Sequence, residues 1–372
     1  MNVLIAKTLA GLEPVLADEL RAMGATGVKP LKRAVAFNGD LRMMFRANYE
    51  LRTALRILVP IRSFPAYNER SYYDAVREIN WADYMGVSDT LAVDAVTQGE
   101  VFRHSQYLGL LTKDAIVDQF RDRTGRRPSV NTVAPTLRIN VHVQGTKADI
   151  SLDASGDSLH RRNYRRDTVD APLNEVLAAG MILLSGWSGK SPFVDPMCGS
   201  GTLPIEATLL STRTPPQIKR ESFGFFKWPD FDQKLWKDVK TTADAQIQAL
   251  EFPVIASDKD PRARNATSLN LMSAGLEQMV TVHKMPFEKL EAPAPAGCLL
   301  MNPPYDERLK IEDTHAFYQQ IGNVLKQRWP GWSAWIISSN RDALKHIGLH
   351  AAQKHTLFNG ALECSFQKFE MY

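Results

Sequence analysis

Cysteine is scarce in this chain: three residues in 372, Cys198, Cys298 and Cys364, lie far apart and outside any CxxC or Cys/His cluster. That spacing gives neither a disulfide framework nor a zinc site, so no metal is expected and a reducing cytoplasm fits best. Long apolar runs are also missing. Nothing approaches the roughly 20 continuous apolar residues of a membrane-spanning helix, and no membrane partner is expected. The N-terminal run Met1 to Lys7 meets Glu13, Asp18 and Glu19 before any long apolar core, so no secretory signal is expected. Neither an internal repeat nor a low-complexity tract is present. Charge of one sign is wanting too, since 45 basic residues face 41 acidic ones, a net charge of +4. Such a balance permits a polyanionic partner, but only clustering of the charge would point to one.

What is present is the composition of a folded protein. Hydrophobic residues at 44% and charged residues at 23% exclude disorder as the default, and the length suggests two or three domains. The opening stretch reads strand, helix, strand, with Val3-Leu4-Ile5-Ala6 apolar and Leu12, Val15, Leu16 and Leu20 spaced for one helix face. A small α/β unit over residues 1–60 is expected. Residues 61–157 read as α+β, with strand-like runs Leu91–Val96, Leu137–Val143 and Lys147–Leu152 and a helix near Thr112–Phe120. Arg138, Asn140, His142 and Gln144 alternate there with Leu137, Ile139, Val141 and Val143, the pattern of a half-buried strand.

Over residues 158–372 strands alternate with helical segments: Phe193–Asp195, Val254–Ser257, Val280–Val282, Leu299–Met301 and Ala334–Ser338. That alternation predicts an α/β, mostly parallel, doubly wound sheet. Asn359-Gly360 between Thr356–Phe358 and Leu362–Phe366 has the form of a tight hairpin, so the sheet should finish antiparallel.

Three constellations carry chemistry. In the first, the strand Phe193-Val194-Asp195 runs into Pro196-Met197-Cys198-Gly199-Ser200-Gly201-Thr202 and then an apolar helix. Gly199 and Gly201 permit a tight turn and a close ligand approach at a helix N-terminus. A lone GxG would fit a plain strand-to-helix turn equally well. Asp258, which ends the Val254–Ser257 strand with Lys259 beside it, offers two acceptor oxygens suited to a vicinal diol. It follows Asp195 by 63 residues (258 − 195), against roughly 20 between the glycine loop and the ribose acid of dinucleotide folds. An insertion rich in Phe and Trp, Ser222 to Trp236, must intervene. The other reading of Asp258 is a solvated turn acid.

In the second, Leu299-Leu300-Met301 runs into Asn302-Pro303-Pro304-Tyr305. Proline restrains the residue before it, so Asn302 is held extended at the strand end. Its side-chain oxygen and the Pro303 carbonyl could both accept hydrogen bonds from one amino group. Tyr305 offers a face for an extruded base. The third constellation is the basic run Ser158-Leu159-His160-Arg161-Arg162-Asn163-Tyr164-Arg165-Arg166. Arginines around an aromatic would suit phosphate and base contacts, and a solvated linker is the competing reading.

The DPMCGSGT string resembles the cofactor loop of class I S-adenosylmethionine methyltransferases, and NPPY after a strand resembles the catalytic motif of amino-group methyltransferases. With LHRRNYR and APLNEVLAA, and with the segment from Gln106-Tyr107 to Phe120, especially Lys113–Phe120, similar to a THUMP helix, the whole chain resembles bacterial THUMP-containing guanine-N2 methyltransferases of 23S ribosomal RNA. The resemblance implies a ferredoxin-like unit over residues 1–60, a THUMP domain over 61–157 and a Rossmann-like methyltransferase domain over 158–372. It implies S-adenosylmethionine held by Asp195, Pro196, Cys198, Gly199, Gly201, Thr202, Asp258, Lys259 and Asn302, and catalysis by Asn302, Pro303 and Tyr305. RNA contacts fall to Arg161, Arg162, Tyr164, Arg165 and Arg166. A monomer is expected. His283-Lys284-Met285-Pro286 stands where many such enzymes carry an acid that contacts the cofactor's adenine, so backbone groups near Met285 are expected to substitute. Cys198 reads as a packing residue. Rival readings are a tRNA guanine-N2, adenine-N6 or glutamine-amide methyltransferase, and an RNA-binding assembly factor without activity.

Overall fold

A computed structural model describes the chain at residues 2–168, 172–304 and 314–372, and the backbone of residues 311–313. Its strands are β1 (Asn2–Lys7), β2 (Thr26–Leu31), β3 (Ala34–Gly39), β4 (Arg56–Pro65), β5 (Thr90–Gln98), β6 (Ser129–Val130), β7 (Leu137–Gln144), β8 (Lys147–Asp153), β9 (Phe193–Asp195), β10 (Val254–Ser257), β11 (Val280–His283), β12 (Gly297–Met301), β13 (Trp332–Ser338), β14 (Gln353–Asn359) and β15 (Leu362–Glu370). They form two sheets, in the orders β2-β3-β1-β4-β8-β7-β5-β6 and β11-β10-β9-β12-β13-β15-β14.

The first sheet is continuous across what the sequence divides into two units. β4 joins them: Arg56, Ile57 and Leu58 pair with β1, and the strand from Leu58 onward pairs with β8. The expected division at residues 60 and 61 therefore falls inside one strand, next to a register shift between Pro60 and Arg62. On β7, Leu137, Ile139, Val141 and Val143 are buried while Arg138, Asn140 and His142 are half-buried, the period-two pattern of a sheet covered on one face. The helix Ser105–Thr124 covers that face with Leu108, Ala115, Ile116 and Phe120. It is longer at both ends than the Thr112–Phe120 segment the periodicity marks, and it stops at Gly125 in the left-handed region (φ 70°).

The second sheet has the doubly wound form expected. β9, β10, β11, β12 and β13 run parallel, and β15 lies antiparallel to both β13 and β14. Asn359 pairs with Leu362, so the two-residue loop is Gly360-Ala361 and not Asn359-Gly360; Gly360 supplies the positive φ of 63°. Both faces of the sheet are covered. Phe193 and Leu300 point into one apolar core with the helices Glu175–Leu184 and Thr202–Ser211, and Val194, Leu299 and Met301 into another with Tyr318, Ile321 and Leu325 of the helix Ile311–Arg328. Double coverage is why β12 reads as a continuous apolar run without alternation.

The aromatic insertion explains the long interval between Asp195 and Asp258. Phe223, Phe225 and Trp236 pack on Phe45 and Tyr49 of the N-terminal unit, with Phe45 to Phe225 at 4.6 Å and Tyr49 to Trp236 at 5.5 Å between ring centroids. The Tyr49 hydroxyl donates to Asp244 at 2.6 Å. Such ring pairs contribute roughly 0.5–1.5 kcal/mol each beyond the area they bury. The insertion thereby holds the N-terminal unit on the catalytic one.

Candidate active site

In the parallel sheet the strand order reverses between β9 and β12, the switch point where ligands of such sheets bind. Three polar side chains stand at the C-terminal ends of the strands around it: Asp195 closes β9, Asp258 follows β10 and Asn302 follows β12. A cavity of about 550 Å³ opens there, with Asp195, Gly199, Asp258, Phe287, Asn302 and Pro303 on its wall. The size suits a nucleoside-type ligand.

Asp195 is 1% exposed, and its Oδ1 accepts the Met197 amide at 3.2 Å. Burial holds its carboxyl well above the usual carboxylate range, the nearby Asp258 raises it further, and the Met197 hydrogen bond offsets this only in part. Two acids facing one cavity favour a cationic ligand. Asp258 accepts the Gly199 amide on Oδ2 at 3.0 Å and the Asp260 amide on Oδ1 at 2.9 Å. It therefore braces the glycine turn, and each oxygen keeps a lone pair for a ligand hydroxyl. The Gly199 amide, expected to be open to a ligand, is committed to Asp258.

The turn is tight for a visible reason. Gly201 has φ +82°, and a Cβ there would stand 2.8 Å from Thr267 Cγ2. Thr267 is fully buried and donates to the Gly199 carbonyl at 2.9 Å. Gly201 thus backs the turn against Thr267, whereas Pro196, Cys198, Thr202 and Lys259 line the cavity. The Cys198 thiol is pushed far up by burial and by Asp195, and its Sγ lies 3.4 Å from Thr267 Oγ1. The side chain is buried and packs in an apolar core cluster.

Beyond β10, the Met285 carbonyl accepts the Ser257 hydroxyl at 2.8 Å and keeps a second lone pair. The wall there is made by Pro286, which ends the His283 to Pro286 stretch, and by Phe287 and Glu288, which follow it and which no signal in the sequence marks. Asn302 is half-buried, Pro303 buried and Pro304 exposed. Tyr305 lies outside the described residues. Phe317, Gln320 and Ser339 complete the cavity mouth, and no motif identifies them in the sequence.

The basic run separates into two groups. Arg162 and Tyr164 are 2% exposed and cannot meet RNA. Both turn inward while Arg161 and Asn163 face out, with Asn163 at φ 64° in a bend of the chain. Arg162 forms a buried ion pair with Glu206 at 3.0 Å and donates to the Arg52 carbonyl at 2.6 Å; the Tyr164 hydroxyl donates to Glu206 at 3.0 Å. Arg165 is mostly buried, and its guanidinium is engaged by Glu175, Leu173, Ser200 and Thr202. Of the five residues, Arg161 and Arg166 remain exposed. Arg161 borders a second cleft of about 280 Å³ with Arg220 and Lys227.

No metal was expected. Among the described residues His315, Asp342 and His346 each bring one possible ligand atom within 4.8 Å of the others, and the two imidazoles stack 18° from parallel with centroids 3.8 Å apart. Among the described residues no helix is long and apolar enough to cross a membrane.

Comparisons with known proteins agree with this geometry. The family model of the RMKL-like methyltransferase domain matches residues 162–368, that of the RlmL ferredoxin-like domain residues 3–58, and that of the THUMP domain residues 66–153. A Synechocystis protein named "Putative RNA methyltransferase slr0064" is 39% identical over 99% of this chain and 96% of its own length. The ribosomal RNA large subunit methyltransferase K/L of Syntrophotalea carbinolica is 38% identical over 97% of this chain, which spans only 52% of that protein. A crystal structure of "SMU.472, a putative methyltransferase complexed with SAH" superposes with a TM-score of 0.90 at 28% identity, covering 100% of this chain and 98% of the other. The paired acids, the apolar wall at Phe287 and the cavity volume fit a sulfonium-bearing nucleoside, S-adenosylmethionine, and the chain belongs to the RMKL-like methyltransferase family.

Proposed function

We propose that the chain methylates the exocyclic N2 amino group of a guanine in RNA, most closely 23S ribosomal RNA, acting as a cytoplasmic monomer. The reading is carried by one observation: Asn302, at the end of β12, shares a cavity wall with Asp195 and Asp258. Those three residues can place an amino group beside the cofactor. Asp195 and Asp258 hold the cofactor, with Pro196, Cys198, Thr202 and Lys259 around it. S-adenosylmethionine supplies an electrophilic methyl group when bound.

The protein's own contribution is positional. The Asn302 side-chain oxygen and the Pro303 carbonyl accept the two amino protons, which turns the nitrogen lone pair towards the methyl and favours the tetrahedral geometry of attack. An aromatic amine is a poor nucleophile, so hydrogen bonds that strengthen as the nitrogen becomes tetrahedral supply differential stabilisation. Tyr305 is proposed as the stacking face for the flipped base. The THUMP region, with Arg161 and Arg166, is proposed to hold the RNA. The name of the K/L relative supports ribosomal RNA over transfer RNA or DNA.

The test is to incubate the protein with labelled S-adenosylmethionine and extracted ribosomal RNA, digest the product and identify the nucleoside. N2-methylguanosine is expected. N6-methyladenosine, or transfer to transfer RNA or protein alone, overturns the assignment; no transfer to any of these favours an assembly factor.

A further inference from the structure

The arginine-rich linker enters the molecule at the back of the cofactor turn. Arg165 donates through Nε to Glu175 Oε1 at 2.8 Å, through Nη1 to Ser200 Oγ at 3.0 Å, and through Nη2 to the Leu173 carbonyl at 3.0 Å and Thr202 Oγ1 at 3.1 Å. Ser200 and Thr202 flank Gly201, and both line the cavity together with Leu173, whereas Arg165 does not reach the wall. The next two linker residues are tied to the same turn. The Arg166 and Asp167 amides donate to Asn270 Oδ1 at 2.6 and 3.1 Å, and Asn270 Nδ2 donates to the Ser200 carbonyl at 2.8 Å.

We infer that Arg165 is a positioning residue for cofactor binding: its planar guanidinium fixes Ser200 and Thr202 from behind. In this arrangement the turn is gripped from two sides. Asp258 and Thr267 hold Gly199 by its amide and its carbonyl, at 3.0 and 2.9 Å. Arg165 and Asn270 hold Ser200 and Thr202. An arginine suits the second task because one rigid fork serves four acceptors that arrive from two helices and the two segments leading into them, which a lysine's single ammonium cannot match. The Glu175 carboxylate, at the start of the helix Glu175–Leu184, anchors the far edge of the fork. Arg165, which reads as an RNA contact in the sequence, therefore serves the cofactor side of the reaction. The inference rests on the cofactor lying at this turn.

The experiment compares Arg165→Ala, Arg165→Lys, Ser200→Ala and Thr202→Val for affinity to S-adenosylhomocysteine by calorimetry and to bulk ribosomal RNA by filter binding at several salt concentrations. Arg165→Ala is expected to weaken S-adenosylhomocysteine about tenfold or more and to raise the KM for S-adenosylmethionine. RNA affinity and its salt slope should stay unchanged. Arg165→Lys should recover the affinity only in part. The milder Ser200→Ala and Thr202→Val read the same contacts should Arg165→Ala fail to fold, and Arg165→Ala combined with Thr202→Val should lose less than the product of the two single effects. Unchanged cofactor affinity with only lower thermal stability would overturn the inference, as would a lower RNA affinity with a shallower salt slope. Asp195→Asn separates the two levels. If Asp195→Asn abolishes binding while the Arg165 and hydroxyl variants do not, only the positioning role fails; if Asp195→Asn binds normally, the cofactor site itself is misplaced.

Discussion

Replacing Gly201 by alanine perturbs the cofactor turn through two separable effects. The backbone at Gly201 sits at φ +82°, where an L residue costs roughly 1–2 kcal/mol. The added methyl would also stand 2.8 Å from Thr267 Cγ2, 3.1 Å from its Oγ1 and 3.2 Å from its Cα. Thr267 is fully buried and cannot swing aside, so overpacking adds about 1–3 kcal/mol. The sum is about 2–5 kcal/mol of stability, with loss of cofactor affinity as Thr267 is pushed off the Gly199 carbonyl. Urea unfolding and calorimetric titration with S-adenosylhomocysteine measure the two consequences. Thr267→Ser separates the causes, because it removes the Cγ2 methyl and keeps the hydroxyl that bonds Gly199. In the Thr267→Ser background, Gly201→Ala should regain the part of the packing cost that comes from Cγ2 and retain the backbone part and the contacts with Oγ1 and Cα. A Gly201→Ala protein with wild-type cofactor affinity and a loss below about 1 kcal/mol, less than the backbone cost alone, would refute the reasoning.

Asp195 gives a pH-dependent prediction. Its raised carboxyl must shed a proton to meet a cation, so cofactor affinity should rise with pH above the ordinary carboxylate range, with proton uptake by the buffer on binding. Calorimetry in buffers of different ionisation enthalpy detects it. Between the unfolded and folded pKa values the native state binds more protons than the unfolded one, so cofactor-free stability falls as pH rises through that window. Asp195→Asn should abolish cofactor binding and be more heat-stable than the parent at neutral pH. Arg162→Ala strands Glu206 in a fully buried site and should cost about 3–5 kcal/mol in urea unfolding, while Arg161→Ala should change it by no more than about 0.5 kcal/mol. All three cysteines are buried, and burial pushes the Cys298 thiol up to about 12, so roughly one part in ten thousand is ionised at pH 8. A disulfide reagent should modify none of them within minutes in native protein and all three in urea.

Much of the catalytic sheet is legible in the sequence because its strands are short apolar runs that end in polar residues, as at Asp195, Asp258 and Asn302. A strand covered on both faces needs only apolar residues, and β9, β10 and β12 have them. The continuous first sheet is not legible. β4 belongs to two neighbours at once, and which edge its second half joins depends on long-range pairing with β8 that no local pattern encodes. The basic run misleads for a related reason. Arginine side chains at positions 161, 162, 165 and 166 look alike in sequence, yet partners of Arg162 and Arg165, namely Glu206, Ser200 and Thr202, come from the glycine turn and the helix after it, far along the chain. The wall at Phe287 is unmarked because a ligand-facing apolar side chain is indistinguishable from a core one until the cavity is seen.

The claim on which the account turns is that a strand end presents an amide oxygen to an amino group beside the methyl donor. Single-turnover transfer from labelled S-adenosylmethionine to ribosomal RNA by Asn302→Ala, with S-adenosylhomocysteine affinity measured on the same preparation, tests it most directly. The account predicts a rate lower by about 10²–10³, the scale of losing one preorganised hydrogen-bonding group at a reacting centre, with cofactor affinity largely kept. Near-normal transfer by the variant would contradict it.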